Sequence, residues 1–158
     1  MRIIVLLAIV LAVFFVWITG GSLPPTVASH FDASGTADSF VSRGTYLAVM
    51  IVMVILVPLM VAFASRVFPE NVLNIPNKSY WLSPERRAGS LAFISLWSQW
   101  CSIGVTVFFC YLHWLVVRGN GFTPPQLESI PMYGGSVVAL VALTIGIVAL
   151  VARFRRLA

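Results

Sequence analysis

The sequence predicts an all-α fold. It reads as a single integral membrane domain over residues 1–158, a four-helix transmembrane bundle with both termini cytoplasmic and an ordered extracytoplasmic loop between the first and second helices. Three observations carry this expectation. Hydrophobic residues make up 59% of the chain and charged residues only 9%, whereas soluble domains carry roughly 25% charged residues. Four long apolar segments are separated by polar connections. The basic residues are divided unevenly among those connections, as membrane orientation requires.

The first apolar segment, residues 3–18, follows Arg2 and contains no polar side chain. It has the outline of a signal peptide, but it exceeds the usual apolar core of about 7–15 residues and leads into Thr-Gly-Gly instead of a small-x-small cleavage site. An uncleaved helix over about 3–19 is expected. The second segment, 46–64, has the length a span requires, and Pro58 removes one backbone donor from it. The third is uncharged over 88–117. In "WLSPERR", Ser83 is placed to cap a helix and Pro84 to occupy its first position. A helix over 84–117 would be about 51 Å long, so it must tilt or protrude. The fourth segment, 133–152, again fits one span.

With the N-terminus inside, Arg2, Arg66, Lys78, Arg86, Arg87, Arg153, Arg155 and Arg156 are cytoplasmic, and only Arg43 and Arg118 lie outside. The segment "ASHFDASGTADSFVSRG", residues 28–44, is therefore extracytoplasmic.

Two helical stripes predict packing faces. Ser95, Gln99, Ser102, Thr106, Cys110 and His113 recur at spacings of three and four, so they share one face that looks at other helices or at water. Gly135, Ala139, Ala142, Gly146 and Ala149 form a small-residue stripe that allows close helix approach. Gly146 is expected in tight contact with a neighbour. No Asp, Glu, Lys or Arg interrupts an apolar segment, which argues against a proton-coupled carrier or pump.

The chemistry-bearing residues gather on the outer side. His30, Asp32, Asp38 and Arg43 lie in the first loop, and His113 lies near the outer end of the third helix. They are the candidate polar or binding cluster. His30 and His113 are weak candidates for a metal, because no HExxH or paired-Cys motif accompanies them. "DASGTAD" lacks the ligand pattern of a calcium loop and reads as a turn centred on Gly35. Neither a G-x-S-x-G nucleophile motif nor a phosphate-cradling glycine loop is present. No catalytic residue, cofactor or nucleic-acid partner is expected. Cys101 and Cys110 read as small buried hydrophobes. Phe31 and Phe40 are expected to hold the loop down as a cap, with His30 and Asp38 near His113 and Arg43 paired to a carboxylate.

"LPPTVASHFDASGTADSFVSRGTYL" resembles a small domain of unknown function found in bacterial membrane proteins and at the N-terminus of SdpI-like immunity and signalling proteins. The resemblance rests on Leu23, Pro24, His30, Phe31, Gly35, Asp38 and Arg43. "NIPNKSYWLSPERR", with Asn77, Trp81 and Pro84, is similar to a second signature of the stand-alone members. The resemblance implies a multi-pass protein of the bacterial plasma (inner) membrane with no implied catalytic activity. Its expected role is partner or peptide binding through the outer loop. The alternatives are an accessory subunit of a larger membrane complex, contacting a membrane-protein partner or a second copy, and a metal-dependent membrane enzyme built on the outer histidines.

The charge division makes a direct prediction. Cysteines introduced at Ser39 and Leu157 should label from opposite sides of the membrane in intact cells. Equal accessibility of both would overturn the four-span orientation.

Overall fold

The computed structural model describes residues 2–67 and 70–156. Leu157, the tail site for labelling, lies outside the described residues. The element order is α1 (Arg2–Gly20), β1 (Thr26–Phe31), β2 (Ala37–Ser42), α2 (Arg43–Val67), a 3₁₀ turn (Glu70–Val72), α3 (Lys78–Trp81), α4 (Arg87–Gly119) and α5 (Ser129–Arg155). Four of the helices, α1, α2, α4 and α5, are long and apolar enough to cross a membrane. Leu7, Leu11 and Phe14 on α1 and Val137, Leu140 and Val148 on α5 are more than half exposed. Water would not tolerate so much contiguous apolar surface on a soluble chain. A bilayer supplies the missing solvent, and the chain is a multi-pass membrane protein.

The bundle centres on α1, α2 and α4, which pack closely on one another. One core layer joins Val5 and Ile9 of α1 to Ala62 of α2. The next joins Ala12 and Val16 to Val54. The polar stripe of α4 faces inward along most of its length: Gln99, Ser102, Thr106 and His113 are buried, Ser95 and Cys110 are half-buried, and Ser98, outside the predicted stripe, is buried as well. Ser102 Oγ donates to the Pro58 carbonyl at 2.7 Å, and Thr106 Oγ1 bonds back to the Ser102 carbonyl at 2.9 Å. These bonds matter because hydrocarbon provides no alternative partner.

The expected all-α architecture needs one correction. The loop between α1 and α2 is a two-stranded antiparallel hairpin. Residue pairs run from Thr26 with Ser42 to Phe31 with Ala37, and the register shifts between Ala28 and Phe31. Those irregularities break the period-two pattern by which a strand is recognised.

Helix limits also differ from the apolar runs. α4 begins at Arg87, not at Pro84, and the Ser83 carbonyl accepts from the amides of Arg86 and Arg87 in the turn before it. Ser83 therefore acts through its carbonyl; its hydroxyl is not a helix cap. Pro84 is exposed in that turn. α5 begins at Ser129, four residues before the apolar run, and tolerates Pro131 in its first turn.

α5 is held mainly at its two ends, and Phe154 is its one buried residue. At its far end Asn77 Nδ2 donates to the carbonyls of Phe154 and Arg155 at 3.2 Å each. Trp81 Nε1 reaches the Phe154 carbonyl at 2.8 Å. Orphan carbonyls of a helix C-terminus are thus satisfied by side chains from α3 and its cap. Ser90 Oγ in turn donates to the Trp81 carbonyl at 2.8 Å, which ties this lock to α4.

The small-residue stripe is only partly a packing face. Gly135, Ala139 and Gly146 are half-buried, and Ala142 is exposed. A Cβ added at Gly135 would run into the Tyr111 ring, whereas at Gly146 the nearest heavy atom is Trp97 Cζ2 at 3.8 Å. The tight approach therefore falls at Gly135, where Tyr111 also donates its hydroxyl to the Pro131 carbonyl. Gly135→Leu should cost about 1–3 kcal/mol through overpacking, and Gly146→Leu clearly less. Thermal unfolding in mild detergent compares them directly. Equal losses would mean that α5 does not seat on Tyr111.

Candidate functional site

Gly35 and Asp32 build the tip of the hairpin. Asp32 Oδ1 accepts from the amides of Ser34 and Thr36 at 2.8 and 2.9 Å and from the Ser34 hydroxyl at 2.6 Å. The Ser34 hydroxyl, with the Thr36 amide, holds the Asp32 carboxyl below its ordinary range. Asp32 is therefore a turn-former, consistent with the expected reversal. Gly35 has φ 86°, and a Cβ there would collide with the Leu127 carbonyl. Its own carbonyl accepts from the Leu127 amide at 2.8 Å. Only glycine meets both conditions without strain.

The hairpin is fastened down along β1. Leu23, Val27 and Tyr46 form a buried cluster with Val41, Val116 and Val117 against it. The Asn120 carboxamide makes a two-point contact with Ala28: Oδ1 accepts from the Ala28 amide at 2.8 Å and Nδ2 donates to the Ala28 carbonyl at 3.0 Å. This amide takes the place of a neighbouring strand on the outer edge of β1. Thr36 bridges to Gln126, and the Tyr133 hydroxyl donates to the Ala33 carbonyl. Arg43 Nη1 donates to the Leu23 carbonyl at 3.0 Å. That contact replaces the carboxylate partner expected for Arg43. Arg118 instead pairs with Glu128 at 2.6 Å.

His30 and Asp38 come together across the hairpin, with Nδ1 to Oδ1 at 2.6 Å. Their side chains remain 68% and 47% exposed. Such a pair adds little to stability, so it serves the surface more than the core. Phe31 lies against Gly119, whose added Cβ would meet its ring at 3.1 Å. Phe40 does not face the helices as expected; it is 53% exposed.

His113 is not part of this surface cluster. It is fully buried, and it joins three helices. Thr19 Oγ1 donates to the Phe15 carbonyl at 2.7 Å, so toward His113 it acts as an acceptor at 2.8 Å from Nε2. Nε2 therefore carries the proton, and Nδ1 accepts the Tyr46 hydroxyl at 3.0 Å. The network is complete with a neutral imidazole. Tyr46 stacks on the ring at 18°, and Phe15 meets it edge-on at 83°. With both nitrogens engaged, His113 has no lone pair to give to a metal. Among the described residues no group of three or more His, Cys, Asp or Glu side chains is placed to hold one.

The comparisons with known proteins bear on this same region. Residues 3–62 match a family described as "Domain of unknown function (DUF1648)". The chain is similar to that family across α1, the hairpin and α2 as far as Ala62. No curated protein and no solved structure matches the chain.

Sequence reasoning passes over Asn120, which positions the site, and reads Tyr46 and Tyr133 as lipid-facing aromatics of the outer interface; Tyr46 is instead buried against His113, and Tyr133 reaches the Ala33 carbonyl. Asn120 did leave a signal, as an amide directly after the last glycine of a long helix. Of the second signature, Asn77 and Trp81 act at the opposite end of the bundle, where they close α5.

A double-mutant cycle tests the histidine node. Tyr46→Phe and His113→Phe should each lower thermal stability in detergent. The double variant should lose less than their sum, with a coupling on the order of 1 kcal/mol, the scale of hydrogen bonds between membrane helices. Strict additivity would show that the Tyr46–His113 bond contributes nothing.

Proposed function

We propose that this chain is a non-enzymatic protein of the bacterial plasma membrane whose hairpin, on the outer face, binds an extended segment of a peptide or protein partner in signalling or immunity. The family resemblance of the loop to SdpI-like proteins motivates the biological setting. The observation that carries the binding mode is the asymmetry of the hairpin's edges. β1 has its outer edge occupied by Asn120. β2 has no strand on its outer edge among the described residues.

An open edge is a template for another chain. Main-chain bonds along it would supply affinity, and side chains beside it would supply selectivity. Here those side chains are the exposed Phe40 and the His30–Asp38 pair. The fastenings to α4 and α5 make the edge a preformed surface, which lowers the ordering cost of binding. Orientation with both termini cytoplasmic rests on the eight-to-two division of basic residues.

A second reading also has an observation behind it. α5 buries little of its length, and Gly146 is loosely covered. That face suits a neighbouring membrane helix in a larger complex or in a second copy. The metal-enzyme reading has less support, since His113 uses both nitrogens inside the bundle.

Photo-crosslinking residues placed at Phe40 and at Val148 in living cells separate the first two readings. A protein adduct at Phe40, reduced several-fold by His30→Ala, is the expected outcome. Adducts at Val148 alone would instead favour the accessory-subunit reading. Stoichiometric zinc in the purified protein would favour the enzyme.

A further inference from the structure

At the end of the bundle opposite the hairpin, a cavity of about 100 Å³ opens between α1, α2 and α4. Its wall is mainly apolar, with Val5 and Leu6 of α1 facing Leu59 and Ala62 of α2. Three polar side chains break that wall, the half-buried Ser95 of α4 among them. Gln99 of α4 is 8% exposed, and Arg2 stands exposed at the rim.

Gln99 Nε2 donates to the Ser95 carbonyl at 3.0 Å. That bond fixes the orientation of the amide, because a flipped oxygen would face another oxygen. Gln99 Oε1 is then buried with no hydrogen-bond partner. A buried carbonyl oxygen without a donor costs free energy and calls for an occupant that supplies one. Arg2 has no carboxylate partner among the described residues. The cavity thus has an unpaired acceptor buried within a side chain of its wall, the Ser95 side chain beside it, apolar sides and a guanidinium at its rim.

We propose that this cavity binds a glycerophospholipid whose headgroup carries an N–H or O–H donor. Its phosphate would rest on Arg2, and the donor of an ethanolamine or glycerol headgroup would reach Gln99 Oε1. The volume admits the end of such a headgroup, being several times the ~10–15 Å³ that one water needs. A choline headgroup has the phosphate but no donor, so Gln99 remains unsatisfied beside it. The site therefore selects by hydrogen-bond donation and not by net charge. α4 projects beyond the first residues of α1 on this side, because Gln99, in the layer of Arg2, is already in its fourth turn. Arg2 and the cavity mouth then lie at the level where headgroups are found. The proposal is independent of the hairpin and of any partner it binds.

The full chain in mild detergent provides the test. Thermal stability and bound lipid, counted by native mass spectrometry, are measured with added phosphatidylethanolamine, phosphatidylglycerol, phosphatidylcholine or inorganic phosphate. Ethanolamine and glycerol lipids should raise the midpoint by several degrees more than the choline lipid, and inorganic phosphate should do nothing. Gln99→Met should reduce retention of both donor lipids to the choline level. Its lipid-free midpoint should change little, because the bond lost to the Ser95 carbonyl is offset by removal of an orphaned buried oxygen. Arg2→Gln should weaken all three lipids and preserve their order. Equal retention of the three lipids by the wild-type chain would overturn the proposal, as would an unchanged preference in Gln99→Met. If Gln99→Met fails to fold, the wild-type lipid order decides alone. Stabilisation by inorganic phosphate equal to that by phosphatidylglycerol would replace the lipid with a simple anion site.

Discussion

The buried polar face of α4 is the constraint around which the other helices are arranged. Within hydrocarbon, a hydroxyl, amide or imidazole has no water to turn to, so each needs a partner from a neighbouring element. Ser102 finds the Pro58 carbonyl of α2. His113 takes one partner from α1 and one from α2. These contacts fix the rotation of three helices about their axes, which apolar packing alone would leave loosely determined. The amide that Pro58 lacks would have served the Val54 carbonyl one turn earlier, and the Ser102 bond gives the Pro58 carbonyl itself a donor from a second helix. Gln99 departs from this rule, with one oxygen left over at the cavity wall.

The same principle organises the hairpin. Two strands alone are marginally stable, yet this pair carries much of the polar chemistry of its end of the molecule. It persists because the bundle supplies what a third strand would. Asn120 completes the edge of β1, Leu127 and Tyr133 hold the tip, and Val27 sits in a cluster shared with α2 and α4. Tyr46 belongs both to that cluster and to the His113 network. The surface that carries His30 and Asp38 is therefore mechanically continuous with the buried centre of the bundle.

The four long apolar helices were legible because each begins as a long uncharged apolar run in the sequence. The inward stripe of α4 was legible because spacing of three and four places residues on one face. The hairpin was not. Val27 and Ala28 are adjacent and both buried, and two register shifts follow, so the alternation that marks a strand is absent. Its signals were the residues around Gly35 and the two short runs flanking that turn. His113 was placed correctly on the polar face, but Thr19 and Tyr46 lie 94 and 67 positions away from it, and spacing cannot reveal such pairs. Arg43 was assigned to a carboxylate by charge alone, whereas its position at the start of α2 puts the Leu23 carbonyl within reach. The pairing of His30 with Asp38 agrees with their expected grouping, and the separation from His113 reflects how deeply α4 is packed.

The Asn120 contact has a consequence for how the chain is made. Ala28 and Asn120 are 92 positions apart, so the ribosome completes the hairpin long before its anchor exists. Contacts of such separation form late, after the intervening chain has been ordered. For that interval the amide and carbonyl of Ala28 are unpaired, and β1 and β2 both present open edges. The hairpin of a nascent chain is thus a stickier object than that of a finished one, and insertion of α4 turns a two-sided template into a one-sided one.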